Sequence, residues 1–254
     1  MKDIRKVVPD LDSTLLRRDK TVSQFTLDTL DELRRRGVIF AVATARPLRS
    51  VKIPFPWLKY DAACYHNGAL VHVNGKEIAS IGIVDPPAVI APILREIPGA
   101  RCCIELDDTL YTNFDTRHIW PDEPFILTDD FHEIAGRTAN KLIFECHSLE
   151  EMAQYERLLP DGLYAQLSEH VIAMIMNRSA TKVNGILLLA EHFGIPLEQI
   201  AAFGDDYNDI EMLKACGIGI AVANALPDVR AAADHIALSN EEDGEARWIA
   251  ENLL

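Results

Sequence analysis

Short apolar runs alternate with amphipathic segments from the start of the chain. Residues 4–9 (IRKVVP) read as a buried strand that stops at Asp10. A helix is expected over 24–36, with Ser23 as N-cap, Leu27, Leu30 and Leu33 on one face, and Gly37 as its stop. Its acids (Asp28, Asp31, Glu32) precede Arg34, Arg35 and Arg36, the order the helix dipole favours. Residues 38–43 (VIFAVA) form the next strand, ending at Thr44. The last third repeats this grammar: a helix over 182–193 closed by Gly194, a strand over 200–203 (IAAF) ending at Gly204-Asp205, a short helix near 208–215, a strand over 218–222 and a final helix near 243–253. Strand–helix–strand repetition of this kind implies a doubly wound, parallel-sheet (Rossmann-like) α/β core drawn from both ends of the chain.

The middle follows another rule. Residues 69–80 read as a hairpin turning at Asn74-Gly75, a type I′ signal, and Asp85-Pro86-Pro87 as a linker. Beyond it the pattern suggests a helix near 88–97, strands near 101–112, a strand at 141–146, a helix at 149–159 and a last strand pair to 176, with Asn177-Arg178-Ser179 as the return crossing. The expected organisation is a core of 1–81 and 179–254 with an inserted α/β domain of 82–178.

Composition narrows the class of protein. The 254 residues are 48% hydrophobic and 25% charged, an ordinary globular profile, and the formal charge of −14 argues against a nucleic-acid partner. No apolar run approaches the roughly 20 residues that span a bilayer, so no membrane partner is expected. The amino terminus (MKDIRKVVPDLDSTLL) lacks the apolar region of a signal peptide. The five cysteines (Cys64, Cys102, Cys103, Cys146, Cys216) form no C-x-x-C pair and read as reduced, buried thiols, so a cytoplasmic location is expected. The eight histidines show no zinc spacing.

Candidate chemistry gathers at the strand ends, where open α/β sheets bind ligands. Asp10 and Asp12, in Asp10-Leu11-Asp12-Ser13-Thr14, can divide the work of displacement at phosphorus: one attacks, the other moves the proton. The same residues are also ordinary turn and N-cap formers. Thr44 can hydrogen-bond a phosphoryl oxygen and Arg46 can hold an anion, or the stretch Thr44-Ala45-Arg46-Pro47 is a simple turn. Lys182, at the start of a helix, can neutralise a phosphoryl group, or lie solvated on the surface. Gly204-Asp205-Asp206-Tyr207-Asn208-Asp209 sets several oxygen-bearing side chains on one turn, the hard-ligand chemistry of Mg2+.

Taken in order, Asp10/Asp12/Thr14, Thr44, Lys182 and Asp205/Asp209 resemble the four motifs of the haloacid dehalogenase superfamily, Cof-type class IIB branch. The flanking runs Thr44-Ala45-Arg46-Pro47, His66-Asn67-Gly68-Ala69, Ala221-Val222-Ala223-Asn224-Ala225 and Asn240-Glu241-Glu242-Asp243-Gly244 are similar too. The resemblance implies a Mg2+-dependent phosphatase that hydrolyses a small phosphate monoester, a sugar phosphate or similar phosphometabolite, through an aspartyl phosphate on Asp10. Asp12 would be general acid and base. Asp10, the Asp12 backbone carbonyl and Asp205 would hold Mg2+, with Asp209 a ligand or its support, and Thr44, Lys182 and Asn208 would bind the phosphoryl group. The inserted domain would be a cap that selects the substrate. A phosphomutase with the same intermediate and a non-catalytic phosphometabolite-binding regulator are the rival readings, and no protein partner is named. Three positions depart from the family pattern: Pro9 replaces a large apolar residue, and Ser13 and Ala45 replace glycines. Elsewhere, Glu105-Leu106-Asp107-Asp108-Thr109-Leu110 echoes the first motif but reads as a hairpin turn, and the polar-aromatic stretch 113–120 reads as a cap loop or a substrate-facing one.

Overall fold

A computed structural model describes residues 3–168 and 170–254. The chain forms two compact units, one of Met1–Arg46, Ser50–Ala79 and Thr181–Leu254, the other of Pro47–Arg49 and Ser80–Ala180.

The first unit is built on an eight-stranded sheet. In spatial order its strands are His235–Ala237, Ile218–Val222, Ile200–Gly204, Lys6–Pro9, Ile39–Ala43, Ala62–Tyr65, Leu70–Val73 and Lys76–Ser80. Neighbours are parallel from His235–Ala237 through Ala62–Tyr65, and Leu70–Val73 then runs antiparallel to Ala62–Tyr65. The parallel sheet read from the sequence therefore carries an antiparallel hairpin at one edge, turned at Asn74 (φ 49°) and Gly75 (φ 75°). Because Lys6–Pro9 is central and the chain winds away from it on both sides, its carboxyl end is the switch point where such sheets open a crevice. Pro9 closes that strand. It still pairs in register with Phe203, but pairing with Ile39–Ala43 has ended by Val7, so its missing N–H removes no bond on that side.

Ser23 caps the helix Gln24–Arg35 by accepting the Thr26 N–H, and Leu30 and Leu33 are buried beneath it. Helix Lys182–Phe193 is capped by Thr181 and closed by Gly194 in the left-handed conformation (φ 61°). Ile186 and Leu189 on that helix are fully buried against Val8, Ala41 and Ala202 of the sheet. Burial of this kind stabilises by about 1.5–3 kcal/mol per side chain, enough to seat the helix. Its first turn also lies unusually close to the strand Ala62–Tyr65. A Cβ on Gly185 would stand 2.7 Å from Cys64 Sγ, and one on Gly68 2.3 Å from the Thr181 carbonyl oxygen. Small residues at both places let Lys182 approach the strand ends.

The strands Ala62–Tyr65 and His235–Ala237 were not legible in the sequence, being short and without period. The helix expected over 208–215 is split. Tyr207–Asp209 is a 3-10 turn ahead of the α-helix Ile210–Ala215, because the Asp209 carboxylate folds back onto preceding N–H groups.

The second unit carries a six-stranded sheet in the order Leu163–Ser168, Ile172–Asn177, Lys141–Glu145, Cys102–Leu106, Thr109–Thr112 and Phe125–Leu127. All pairs are antiparallel except the last. One face packs Cys102, Ile104 and Phe144 with Ile90 and Ile93 of helix Pro86–Glu96 and with Tyr155 of helix Leu149–Glu156. The other gathers Cys103, Leu110 and Ile143 with Phe114 and Trp120. The stretch Glu105–Leu110 is a hairpin whose turn residues Asp107 and Asp108 take positive φ (49° and 58°). Phe114, Asp115, Arg117 and His118 line, with Arg101, a cavity of about 360 Å³. All five cysteines are unbridged and buried. Among the described residues no helix is long and apolar enough to cross a membrane.

Candidate active site

The carboxyl ends of two neighbouring strands and the start of one helix bring three carboxylates to one lysine. Asp10 follows Lys6–Pro9, and its N–H donates to the Phe203 carbonyl (2.9 Å) in the adjacent strand. Asp205 follows that strand, Ile200–Gly204. Lys182, the first residue of its helix and 2% exposed, donates from Nζ to Asp10 Oδ1 (2.6 Å) and to Asp209 Oδ1 (2.7 Å). The other Asp209 oxygen accepts the N–H groups of Asp205 (2.9 Å) and Asp206 (3.0 Å), so this fully buried carboxylate shapes the turn as well as facing the lysine. A Cβ on Gly204 would stand 2.4 Å from that of Asp209; only glycine leaves room for the turn.

Asp10, Asp205 and Asp209 each offer a carboxylate oxygen, all within 4.8 Å of one another. One lysine cannot neutralise three acids. Burial pushes the Asp10 carboxyl well above its ordinary value; Lys182 opposes this, while Asp209 and Asp205 add to it. Burial raises Asp205 to about 6, with Thr14 Oγ1 donating to its Oδ1 (2.6 Å) in opposition. For Lys182, burial works to lower the pKa, but Asp10 and Asp209 outweigh it and hold the ammonium above its usual range. An oxygen-only, charge-excess cluster of this kind suits a hard divalent cation, which would relieve the repulsion directly.

Asp12 has different company. Arg46 grips it with two bonds, Nε to Oδ2 (2.6 Å) and Nη2 to Oδ1 (2.8 Å), and Lys20 Nζ donates to Oδ1 (2.6 Å). Partial burial raises the Asp12 carboxyl, but the hydrogen bonds and charge of Arg46, then of Lys20, hold it at about 2. The anion that Arg46 holds in this structure is thus the Asp12 carboxylate, a partner 34 residues away that sequence reasoning did not assign. Lys20 was missed altogether; it lies in an irregular loop, at positive φ (64°), where no periodicity signals its direction.

Thr44 is buried at the end of Ile39–Ala43, its N–H donating to the Cys64 carbonyl (2.8 Å) and its hydroxyl accepting the Arg46 N–H (3.1 Å). Asn208 donates from Nδ2 to Asn67 Oδ1 (3.1 Å), which ties the metal-type turn to the 3-10 turn His66–Gly68. Ser13 adopts the left-handed φ (61°) that the family's usual glycine takes at less cost, and its carbonyl accepts from Asn224 Nδ2 (2.8 Å). Glu245 was also missed. It stands on the buried face of helix Gly244–Asn252, 2% exposed, with neither carboxyl oxygen hydrogen-bonded among the described residues. Burial, and then the Asp10 charge, push its carboxyl well above the usual range. Its spacing from Trp248 and Ile249, both buried, was the available signal.

The parallel sheet with an acid cluster at its switch point defines a hydrolase-type α/β core, and comparison with known proteins agrees. Residues 7–249 match the haloacid dehalogenase-like hydrolase family, and the chain belongs to it as an enzyme of that family. It is 28% identical over 259 residues to the 5-amino-6-(5-phospho-D-ribitylamino)uracil phosphatase YitU of Bacillus subtilis, covering 95% of each chain. It is 26% identical over 258 residues to YcsE, a phosphatase of the same name and organism, covering 99% of this chain and 97% of that one. Among solved structures, the haloalkanoate-superfamily phosphatase BT1666 of Bacteroides thetaiotaomicron superposes with a TM-score of 0.85 at 26% identity, over 98% of this chain and 94% of the other.

Proposed function

We propose that the protein is a Mg2+-dependent phosphatase that hydrolyses a small phosphate monoester through an aspartyl phosphate on Asp10. The observation that carries this reading is the buried lysine shared by Asp10 and Asp209 beside Asp205. Asp10, Asp205 and the backbone carbonyl of Asp12 would hold Mg2+, and Asp209 would support them. Bound there, the cation supplies charge neutralisation for the nucleophile and the transferring phosphoryl group.

The residues divide the rest of the work. An Asp10 oxygen attacks phosphorus, the bond from phosphorus to the leaving oxygen breaks, and Asp12 delivers a proton to that oxygen. Water then attacks the phosphoryl group, Asp12 takes its proton, and the Asp10–phosphorus bond breaks to free inorganic phosphate. Lys182, the Thr44 hydroxyl and Asn208 position the phosphoryl oxygens, since phosphoryl transfer is mostly placement and charge neutralisation. With Arg46 and Lys20 on it, Asp12 is in the ionised form that accepts a proton from water. The acid step requires it to exchange those partners for the leaving oxygen.

The inserted domain, 82–178, acts in this reading as the substrate-selecting cap. Two relatives named for a phosphorylated ribityl compound support a polyhydroxylated, sugar-like phosphate ester as the substrate class. The test is release of inorganic phosphate from a panel of such esters, with Mg2+ and with chelator, for wild type, Asp10→Asn and Asp205→Asn. Turnover that needs Mg2+ and is lost in Asp10→Asn supports the reading. Folded wild type that releases no phosphate from any ester in Mg2+ overturns it in favour of a mutase or a binding protein.

A further inference from the structure

Asn224 and the run Asn240-Glu241-Glu242-Asp243 have no part in the mechanism above, yet both hold the loop that follows the nucleophile. Asn224 lies just after the strand Ile218–Val222, and Asn240–Glu242 is a 3-10 turn ahead of the last helix. They belong to the same compact unit as Asp10 and Asp12. Asn240 is 7% exposed and donates from Nδ2 to the Leu16 carbonyl (2.9 Å). Asp243 Oδ1 accepts from Arg17 Nη2 (2.8 Å), and Glu241 Oε1 accepts the Arg18 N–H (2.8 Å). The loop is thus held at Leu16, Arg17 and Arg18 in succession.

Asn224 extends this hold to Ser13. Its Oδ1 accepts the Asn240 N–H (3.0 Å), and its Nδ2 donates to the Ser13 carbonyl (2.8 Å). The first bond settles which end of the amide faces Ser13, since only the oxygen can accept. Ser13 needs such a partner. Its φ of 61° is left-handed, a conformation that a residue with a Cβ adopts at a cost and that glycine adopts about as readily as its mirror image. That φ is the rotation between the Asp12–Ser13 peptide plane and the rest of Ser13. With the Ser13 carbonyl pinned, it therefore fixes where the Asp12 carbonyl oxygen points. Relaxation of Ser13 to an ordinary negative φ would turn that plane by about 120°.

We propose that Asn224 is a positioning residue for the Asp12 carbonyl: it pins the Ser13 carbonyl and so keeps Ser13 left-handed. The inference rests on the reading of that carbonyl as a ligand of Mg2+. Without Asn224, Ser13 would occupy the left-handed well only roughly one time in 5 to one in 30. The apparent affinity for Mg2+ would fall in the same proportion. A glycine at that position would occupy the well about half the time, which limits the loss to about 2-fold.

The test is a double-variant cycle read by metal binding. The full chain is freed of metal with chelator, dialysed and titrated with Mg2+, and the rise of its thermal midpoint gives the apparent dissociation constant. The Mg2+ concentration for half-maximal phosphate release from p-nitrophenyl phosphate is a second readout. The proteins are wild type, Asn224→Ala, Ser13→Gly, the double variant and Asp205→Asn. Asn224→Ala is expected to weaken Mg2+ binding by about 5- to 30-fold, and the same change in the Ser13→Gly background by no more than about 3-fold. A purely structural loss would be the same in both backgrounds. Equal losses, or no loss in either, overturn the positioning role and leave the phosphatase reading standing. If the wild-type midpoint does not respond to Mg2+, or Asp205→Asn responds as wild type does, the metal reading fails and the inference with it. Should Asn224→Ala not fold, Asn224→Asp keeps the acceptor for the Asn240 N–H and removes the donor to Ser13. The effect of its added charge is common to both backgrounds, so the difference between them decides the question in the same way.

Discussion

The ammonium of Lys182 lies 2.6 Å from Oδ1 of Asp10, with the lysine side chain 1% and the aspartate side chain 9% exposed. A charge so placed cannot be removed cheaply, because the carboxylates it faces are left in a poorly solvated cluster. Lys182→Met is expected to cost about 3–5 kcal/mol of folding free energy in chelator. A divalent cation bound to the same acids would return part of that loss. Urea unfolding with and without Mg2+ checks this: the midpoint of the variant should rise further on adding Mg2+ than that of the wild type. Equal shifts would mean that lysine and metal do not share the carboxylates.

Gly204 makes the turn that holds Asp209. A methyl group there would lie 2.5 Å from Asp209 Cγ, pushing the carboxylate off Lys182 and off the Asp205 and Asp206 N–H groups. Gly204→Ala is expected to destabilise by about 1–3 kcal/mol and to lower kcat by about 100-fold. Gly194→Ala serves as the comparison. Gly194 has the left-handed φ of 61° but, among the described residues, no atom within 4 Å of its Cβ position, so that variant should lose about 1–2 kcal/mol and keep its kcat. Thermal unfolding and kcat for the pair separate site geometry from backbone strain.

Glu245 gives the stability a definite pH slope. Its folded-state pKa lies well above the ordinary 4.5, first because of burial and then because of the Asp10 charge. Between those two values the native state keeps a proton that the unfolded chain has released, so stability is lost as pH rises through the window. Glu245→Met removes the titration and fills the space. Its advantage over wild type should widen between about pH 5 and pH 8, to roughly 1–3 kcal/mol at the upper end. Urea unfolding at the two pH values checks this, and a constant gap would show that Glu245 titrates alike in both states.

Several elements were legible because their signals are local. The N-cap Ser23, the stop at Gly194, the Asn74-Gly75 turn and the apolar stripes each act within a few residues, and the structure places helices and hairpin there. Elements with weak local signal were lost: the three-residue strands His235–Ala237 and Phe125–Leu127 exist because a neighbouring strand offers an edge to pair with. The split of 208–215 has the same origin, since it depends on where one carboxylate folds.

By itself the sequence determined the order of the motifs, the strand ends that bear them and the kind of chemistry those residue types can perform. Strand order, and with it the meeting of Asp10 with Lys182 across 172 residues of chain, belongs to the tertiary structure. So do the partners of the charged groups: Arg46 and Lys20 on Asp12, Arg49 on Glu105, and Glu245 buried with no hydrogen-bond partner among the described residues. The physical reason is one of range. Helix periods, caps and turns are decided by dihedrals and neighbours a few residues apart, whereas the pairing of charges in a buried site depends on which side chains packing has already deprived of water.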